Sequence, residues 1–363
     1  MNHRTTDLEI SPQTEGASGM HHLVKLVADY TMGLNNKAFK NWEFAPVING
    51  LIALGEPRQL EAARRIVDLG IALQNKEGQL AFGLNIVQGD PGNAVERWTG
   101  AKTITGTLHS SSYGPGTLHF ARATGNGRYL EAARRQRAYV QTVRRTRDGA
   151  FVHREETTEL WVDTVYFTAP FLAQYGAITG DATAMDEAVL QIRLHADRLC
   201  DPRSKLFRHI WSEAPDYFPQ STYWARGQGW ITASLVDVYE ALPEDHPGRT
   251  ELSELLDDMV SALLPLQDTS GFWHNVVDDP RAALESSGTS LFAYSIRKGL
   301  DLGMLVGDDR AAAARRGFEA VLQAVHDDGA VGMTSLPPGG PNARFGSAPY
   351  GQGAFLLAAS RFV

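Results

Sequence analysis

Cysteine is nearly absent from this chain: Cys200 stands alone among 363 residues. A single thiol excludes an internal disulfide framework and suits a reducing compartment. Long apolar runs are missing too, and nothing approaches the roughly 20 residues that a membrane-spanning helix needs. The first residues, Met1 to Gly19, are polar and lack the hydrophobic region of a secretion signal, so 1–19 reads as a flexible leader and 20–363 as one domain. Positive charge is not concentrated anywhere: 34 Lys and Arg are scattered among 42 Asp and Glu, for a net charge of -8. That balance excludes a nucleic-acid footprint. Metal signatures are missing, with no HExxH and no paired His/Cys spacing. There is no GxSxG elbow and no phosphate-binding loop, and Gly227-Gln228-Gly229 does not follow a strand. The expectation is a cytoplasmic globular protein that needs no metal or cofactor and engages neither nucleic acid nor membrane.

Strand-like alternation is equally scarce, appearing only in short loops such as Gly149–His153 and Gly271–Val277. What fills the chain is helical periodicity. The expected helices are 20–33, 42–55, 57–75, 116–124, 127–145, 163–179, 182–199, 223–242, 251–266, 284–302, 309–326 and 350–361. They alternate between runs rich in aromatic and small residues and more charged amphipathic runs. The hexapeptide Leu-Glu-Ala-Ala-Arg-Arg occurs at 60–65 and again at 130–135, an internal repeat. Helices apolar on all sides must be buried, and helices with one apolar stripe must cover them. Six such pairs closing on themselves predict an all-α (α/α)6 barrel. An open solenoid would need polar capping repeats, which the sequence lacks. Long loops between pairs, notably 76–107, would gather at one mouth.

The candidate chemistry lies in a few stretches. Tyr223–Trp230 holds Trp224, Arg226 and Trp230 at the start of a long amphipathic run. A guanidinium is a planar fork for a carboxylate, and indoles are rigid apolar plates, so the set suits a flat, ring-shaped anion such as a uronic acid sugar. The same residues also suit a core helix with a structural ion pair. Asp163 stands where a helix begins, in Trp161-Val162-Asp163. Capping the helix would depress its pKa, whereas a general acid needs a carboxyl kept protonated by burial or a second negative charge. His153 and His209 each sit in an aromatic loop.

Several of these runs, in order, resemble the unsaturated uronyl hydrolases, and most closely the unsaturated rhamnogalacturonyl hydrolases (glycoside hydrolase family 105, related to family 88). They are Trp161–Phe167 with Pro170–Leu172, Tyr223–Trp230, Ala241–Pro247, Gly271–Pro280 with Leu284–Gly299, and the tail Pro349–Ala358. The resemblance implies an (α/α)6 barrel that removes a 4,5-unsaturated uronic acid from the non-reducing end of a small oligosaccharide, without a cofactor. It implies that Asp163 is the acid/base and that Trp224, Arg226, Trp230, His153 and His209 contact substrate. Trp42 and Phe44, at the start of the second helix, complete the expected substrate-binding set. One departure stands out: where the family has a second aspartate before a Pro-Gly, this chain reads Ser110-Ser111-Ser112, and Asp90 or Glu96 in the preceding loop are the candidates to substitute for it in space. Two alternatives follow. One is a conventional inverting glycosidase pairing Asp163 with Glu43 or Glu285, its carboxyls about 6.5–9.5 Å apart. The other is a sugar-binding relative without turnover.

Overall fold

A computed structural model describes residues 17–87, 106–337 and 339–363. Among them are thirteen α-helices, and twelve form two concentric layers. The inner layer consists of α2 (Ala45–Leu54), α5 (Gly114–Thr124), α7 (Val162–Thr179), α9 (Ala225–Ala241), α11 (Ser286–Asp301) and α13 (Pro349–Ala359). The outer layer consists of α1 (Ala17–Gly33), α3 (Pro57–Ala72), α6 (Gly127–Thr142), α8 (Ala182–Leu199), α10 (Gly248–Leu263) and α12 (Asp308–Leu322). The short α4 (Phe82–Val87) lies in a stretch expected to be loop. Each inner helix packs on the next, α2 on α5, α5 on α7 and so on round to α13, which packs on α2 and closes the ring. Each outer helix covers an inner one. The expected (α/α)6 barrel is the observed architecture.

Local chemistry explains where the helices stop and start. Gly55, Gly125 and Gly180 follow inner helices α2, α5 and α7 in the left-handed conformation that ends a helix at least cost. Pro57 opens α3, Asn126 caps α6 by accepting from the Arg128 N–H at 3.1 Å, and Asp181 caps α8 by accepting from the Ala184 N–H at 3.2 Å. The repeated hexapeptide falls on outer helices α3 and α6, where Ala62, Ala63, Ala132 and Ala133 are buried in the same register. Observed helix ends lie within a few residues of the expected ones. The N-terminal helix begins at Ala17 rather than Met20, and residues 1–16 lie outside the described residues.

Ring closure depends on two small residues. A methyl group added at Gly353 of α13 would stand 2.2 Å from the Pro46 carbonyl carbon, and one at Gly50 of α2 would stand 2.7 Å from Leu356 Cβ. Because both neighbours are helix backbone or a β-carbon, neither can swing aside. Gly353→Ala is therefore expected to destabilise the protein by about 1–3 kcal/mol, the usual cost of overpacking. Chemical denaturation of the variant checks this, and an unchanged midpoint would contradict it.

Short antiparallel ribbons crown one end of the barrel. Strands β1 (Glu159–Trp161), β2 (Ile210–Ser212) and β3 (Tyr217–Gln220) form one sheet, with Trp161 opposite Ile210. Strand β4 (Trp273–His274) pairs with β5 (Leu284–Glu285), and β6 (Thr334–Ser335) with β7 (Phe345–Gly346). Strands β1 and β5 run directly into α7 and α11, so the ribbons gather at the N-terminal ends of the inner helices. Six helix N-termini converge there, a setting that favours an anion.

Candidate active site

At that ribboned mouth the side chains form a closed circuit. Trp42 stacks on Tyr350 at 5.1 Å between ring centroids, and the Arg226 guanidinium lies between Tyr350 (4.4 Å) and Trp224 (4.3 Å). Trp224 meets His209 at 4.7 Å, and His209 meets Trp161 edge-on at 5.3 Å. Trp161 stacks on His153 at 4.4 Å, His153 meets His109 at 5.2 Å, and His109 returns to Trp42 at 6.0 Å. The eight members come from loops, ribbons and 3-10 turns at the mouth and from the first turns of two inner helices, Arg226 on α9 and Tyr350 on α13. Such a collar of flat faces with one embedded cation is built to hold a flat anionic ring.

Asp163 belongs to this circuit through His209. Its Oδ2 lies 3.3 Å from His209 Nε2. Helix α7 begins at Val162 with Trp161 as its flanking residue, so Asp163 stands inside the first turn and does not cap it. Both Asp163 Oδ2 and His209 Nε2 are buried and in no well-formed hydrogen bond. Burial works to raise the Asp163 pKa, but His209, His153 and Arg226 together outweigh it and hold the carboxyl down to about 2. On the other side of the ring, His209 Nδ1 is hydrogen-bonded to the side-chain oxygen of Gln220.

His109 and His153 are held neutral. His109 Nδ1 accepts from the Gly106 N–H at 3.1 Å, leaving its proton on Nε2. Burial, opposed by Asp163 and helped by the Arg154 and Lys40 charges, pushes His109 down to about 3. Burial also drives His153 well below its ordinary value, and its Nδ1 is 2.8 Å from the Thr164 hydroxyl. For His109 the sign is clear: the unfolded imidazole takes a proton at about pH 6.5 and the folded one only near 3. Its contribution to stability is complete above about pH 6.5 and is lost as pH falls towards 3. His109→Gln is expected to make stability fall less steeply across that window, by up to one proton, in denaturant unfolding measured at a series of pH values. Parallel slopes for the two proteins would contradict it.

Arg226 is buried and held from one side. Its Nη1 donates to the Ser335 carbonyl (2.6 Å), the Ser335 hydroxyl (2.7 Å) and the Ser287 hydroxyl (3.2 Å), while Nε has no partner. Glu285 lies 3.9 Å from Nη1 and is fully buried. Its Oε1 accepts from the Ser287 N–H (3.1 Å), the Ser287 hydroxyl (2.5 Å) and the Ser335 N–H (3.0 Å), and its Oε2 from the Gly288 N–H (2.5 Å). With four donors already satisfied, Glu285 caps α11 and ties it to β6. It is not poised to activate a water, which removes it as the partner carboxyl of an inverting glycosidase. Glu43 sits on the 3-10 turn Asn41–Phe44 beside Trp42, accepting from the Lys40 N–H at 3.1 Å. Burial raises its pKa, against that hydrogen bond and the Lys40 and Arg226 charges.

The expected site residues therefore divide. Asp163, His153, His209, Trp224, Arg226 and Trp42 come together at the mouth. Phe44 and Trp230 do not. Phe44 turns into the core against Phe39, at 5.8 Å, because the 3-10 turn points alternate side chains away from the mouth. Trp230, one turn below Arg226, is fully buried against Tyr166 at 4.3 Å and forms the floor rather than the wall. Sequence reasoning missed His109 and Tyr350. His109 immediately precedes the Ser110–Ser112 segment, and Tyr350 stood inside the Pro349–Ala358 tail already singled out. Ser112 donates to the His109 carbonyl at 2.6 Å and Ser111 accepts from Gln136 at 2.9 Å, so this acid-free segment is braced internally. Asp90 and Glu96 lie outside the described residues. No described helix is long and apolar enough to cross a membrane.

Residues 98–363 match the sequence profile of the family described as Glycosyl Hydrolase Family 88. The chain is 27% identical over 254 residues to an unsaturated rhamnogalacturonyl hydrolase, YesR, of Bacillus subtilis, covering 67% of this chain and 72% of that protein. It is 28% identical over 211 residues to an unsaturated 3S-rhamnoglycuronyl hydrolase of an Alteromonas species, covering 56% of this chain but only 51% of the relative. Among solved structures, a possible member of family GH105 from Salmonella enterica superposes with a TM-score of 0.79 at 23% identity, over 97% of this chain and 95% of that one. An unsaturated glucuronyl hydrolase from a Bacillus species superposes with a TM-score of 0.69 at 13% identity, over 94% and 96% of the two chains. At such identities these superpositions speak for the fold alone.

Proposed function

The chain belongs to glycosyl hydrolase family 88, and from that premise we propose that it removes a 4,5-unsaturated uronic acid from the non-reducing end of a small oligosaccharide. The observation that carries this reading is the collar itself: a buried guanidinium clamped between two aromatic faces, with a carboxyl 3.3 Å from an imidazole beside it. Arg226 receives the uronate carboxylate, while Trp42, Trp224 and Tyr350 face the sugar ring. Asp163 is the acid/base.

A 4,5-unsaturated uronide is a vinyl ether, and its hydration needs one group that gives a proton and takes one back. The Asp163 proton passes to C4, and the double-bond electrons form the new C4–H bond. Positive charge develops at C5, shared with the ring oxygen. Water attacks C5 and returns its proton to the Asp163 carboxylate. The C5 hemiketal opens to a ketone by breaking its bond to the ring oxygen, and the hemiacetal left at C1 releases the remaining sugar.

The low pKa of Asp163 has to be overcome for the first step. Two features of the site do so once substrate enters. The uronate adds a second negative charge near Asp163, and it engages Arg226, one of the cations that depress the carboxyl. With that depression relieved, the Asp163 carboxyl takes up a proton from solvent. This account predicts net proton uptake when an unsaturated uronide binds to the wild-type protein under conditions too cold for turnover. Calorimetric titration in two buffers of different ionisation heat measures it, and identical heats in both buffers would overturn the proposed proton transfer.

A further inference from the structure

The barrel has a second open end. Where the inner helices finish, side chains from all six surround a cavity of about 500 Å³. It is distinct from the collar: α7 carries Asp163 at one end and Ile178 at the cavity rim, roughly 22 Å apart at 1.5 Å per helical residue. Between the two lies the buried contact of Tyr166 with Trp230.

This far cavity is lined with unspent polar groups. Asp237 uses only Oδ1, which accepts from the Tyr294 hydroxyl at 2.6 Å and the Lys298 ammonium at 2.7 Å, and Oδ2 has no hydrogen bond among the described residues. Lys298 is also paired with Glu240 at 2.7 Å, so this buried cluster is fixed in place. The Tyr166 hydroxyl is buried, lies beside Asn49 and is in no well-formed hydrogen bond. Arg361 lies over the Tyr294 ring at 5.6 Å with its Nε buried and unpartnered. Neither Arg361 nor Arg122 has a carboxylate partner among the described residues. Helix dipoles account for an arginine such as Arg122 in the last turn of α5. They do not account for a buried phenol whose one polar neighbour, Asn49, makes no well-formed hydrogen bond with it, or for a buried guanidinium nitrogen without a partner.

We propose that this cavity is a second ligand site that takes a monosaccharide-sized sugar acid. Hydroxyls of the ligand meet Tyr166 and the free oxygen of Asp237, and its carboxylate is received by Arg361 and Arg122. The volume suits one or two sugar rings, and the alternation of donors, acceptors and aromatic faces suits a polyhydroxylated molecule better than an apolar one. The inference stands on the cavity alone and is independent of the reaction assigned to the collar.

Titrating D-glucuronate into the full-length protein tests it, with wild type compared against Arg361→Ala and Tyr166→Phe. The expected result is a saturable binding event that weakens about tenfold or more in Arg361→Ala, as a lost charge-assisted pair requires, and measurably in Tyr166→Phe. Hydrolytic turnover of Arg361→Ala should match wild type. Tyr166→Phe deletes a single oxygen that makes no well-formed hydrogen bond, so it keeps the test valid even if the arginine variant folds poorly. Absence of binding, or binding equal in all three proteins, overturns the proposal.

Discussion

Asp163→Asn is expected to lower kcat by about 10²–10⁴-fold while changing KM far less. The substitution keeps the shape of the side chain inside the first turn of α7 but removes the only function the mechanism asks of it, giving and taking a proton. The amide can neither give nor take a proton at the position 3.3 Å from His209 Nε2. Ring binding is left to Arg226 and the aromatic collar, which the change does not touch. Steady-state kinetics on an unsaturated disaccharide decide the matter. A variant within tenfold of wild type would move the acid elsewhere, with Glu43 the first group to examine because burial raises its pKa.

Glu285→Ala is expected to be the most damaging change to stability at the mouth, costing about 3–5 kcal/mol. The carboxylate is fully buried and satisfies three backbone N–H groups and the Ser287 hydroxyl at once. Without it the start of α11 loses its cap, β6 loses its tie, and Arg226 keeps a buried charge with no carboxylate at 3.9 Å. Glu285→Gln retains one acceptor oxygen and should fall between the two. Because Arg226 is held by Ser335 and Ser287, which Glu285 positions, activity should fall together with stability. Thermal and denaturant unfolding of both variants measure the effect. If Glu285→Gln were fully stable yet inactive, Glu285 would be a reacting group and the capping assignment would be wrong.

The barrel was legible because its determinants are local. Helix boundaries are set by Pro57, Asn126, Asp181 and the glycines at 55, 125 and 180, and alternation of fully apolar with amphipathic runs separates inner from outer helices. The site was legible where a residue stands at the entry to an inner helix, as Asp163 and Arg226 do. It was not legible where orientation decides. Trp230 follows Arg226 by four positions on α9, a helix buried on nearly every side, so its sequence does not distinguish the face that meets substrate from the face that meets Tyr166. Phe44 and Trp42 are two residues apart on one 3-10 turn and diverge for the same reason. Glu285 reads as a free acid in the sequence. Its four donors include one from Ser335, 50 residues away, a contact that only the closed ring creates.

The measurement that bears most directly on the central claim is the ultraviolet absorbance of the conjugated double bond in an unsaturated disaccharide, followed with wild type and with Asp163→Asn, alongside a saturated uronide as control. The account predicts decay with wild type, none beyond background with the variant, and no sugar released from the saturated compound. A flat trace accompanied by release from the saturated uronide would contradict it and make the protein an ordinary glycosidase on the same barrel.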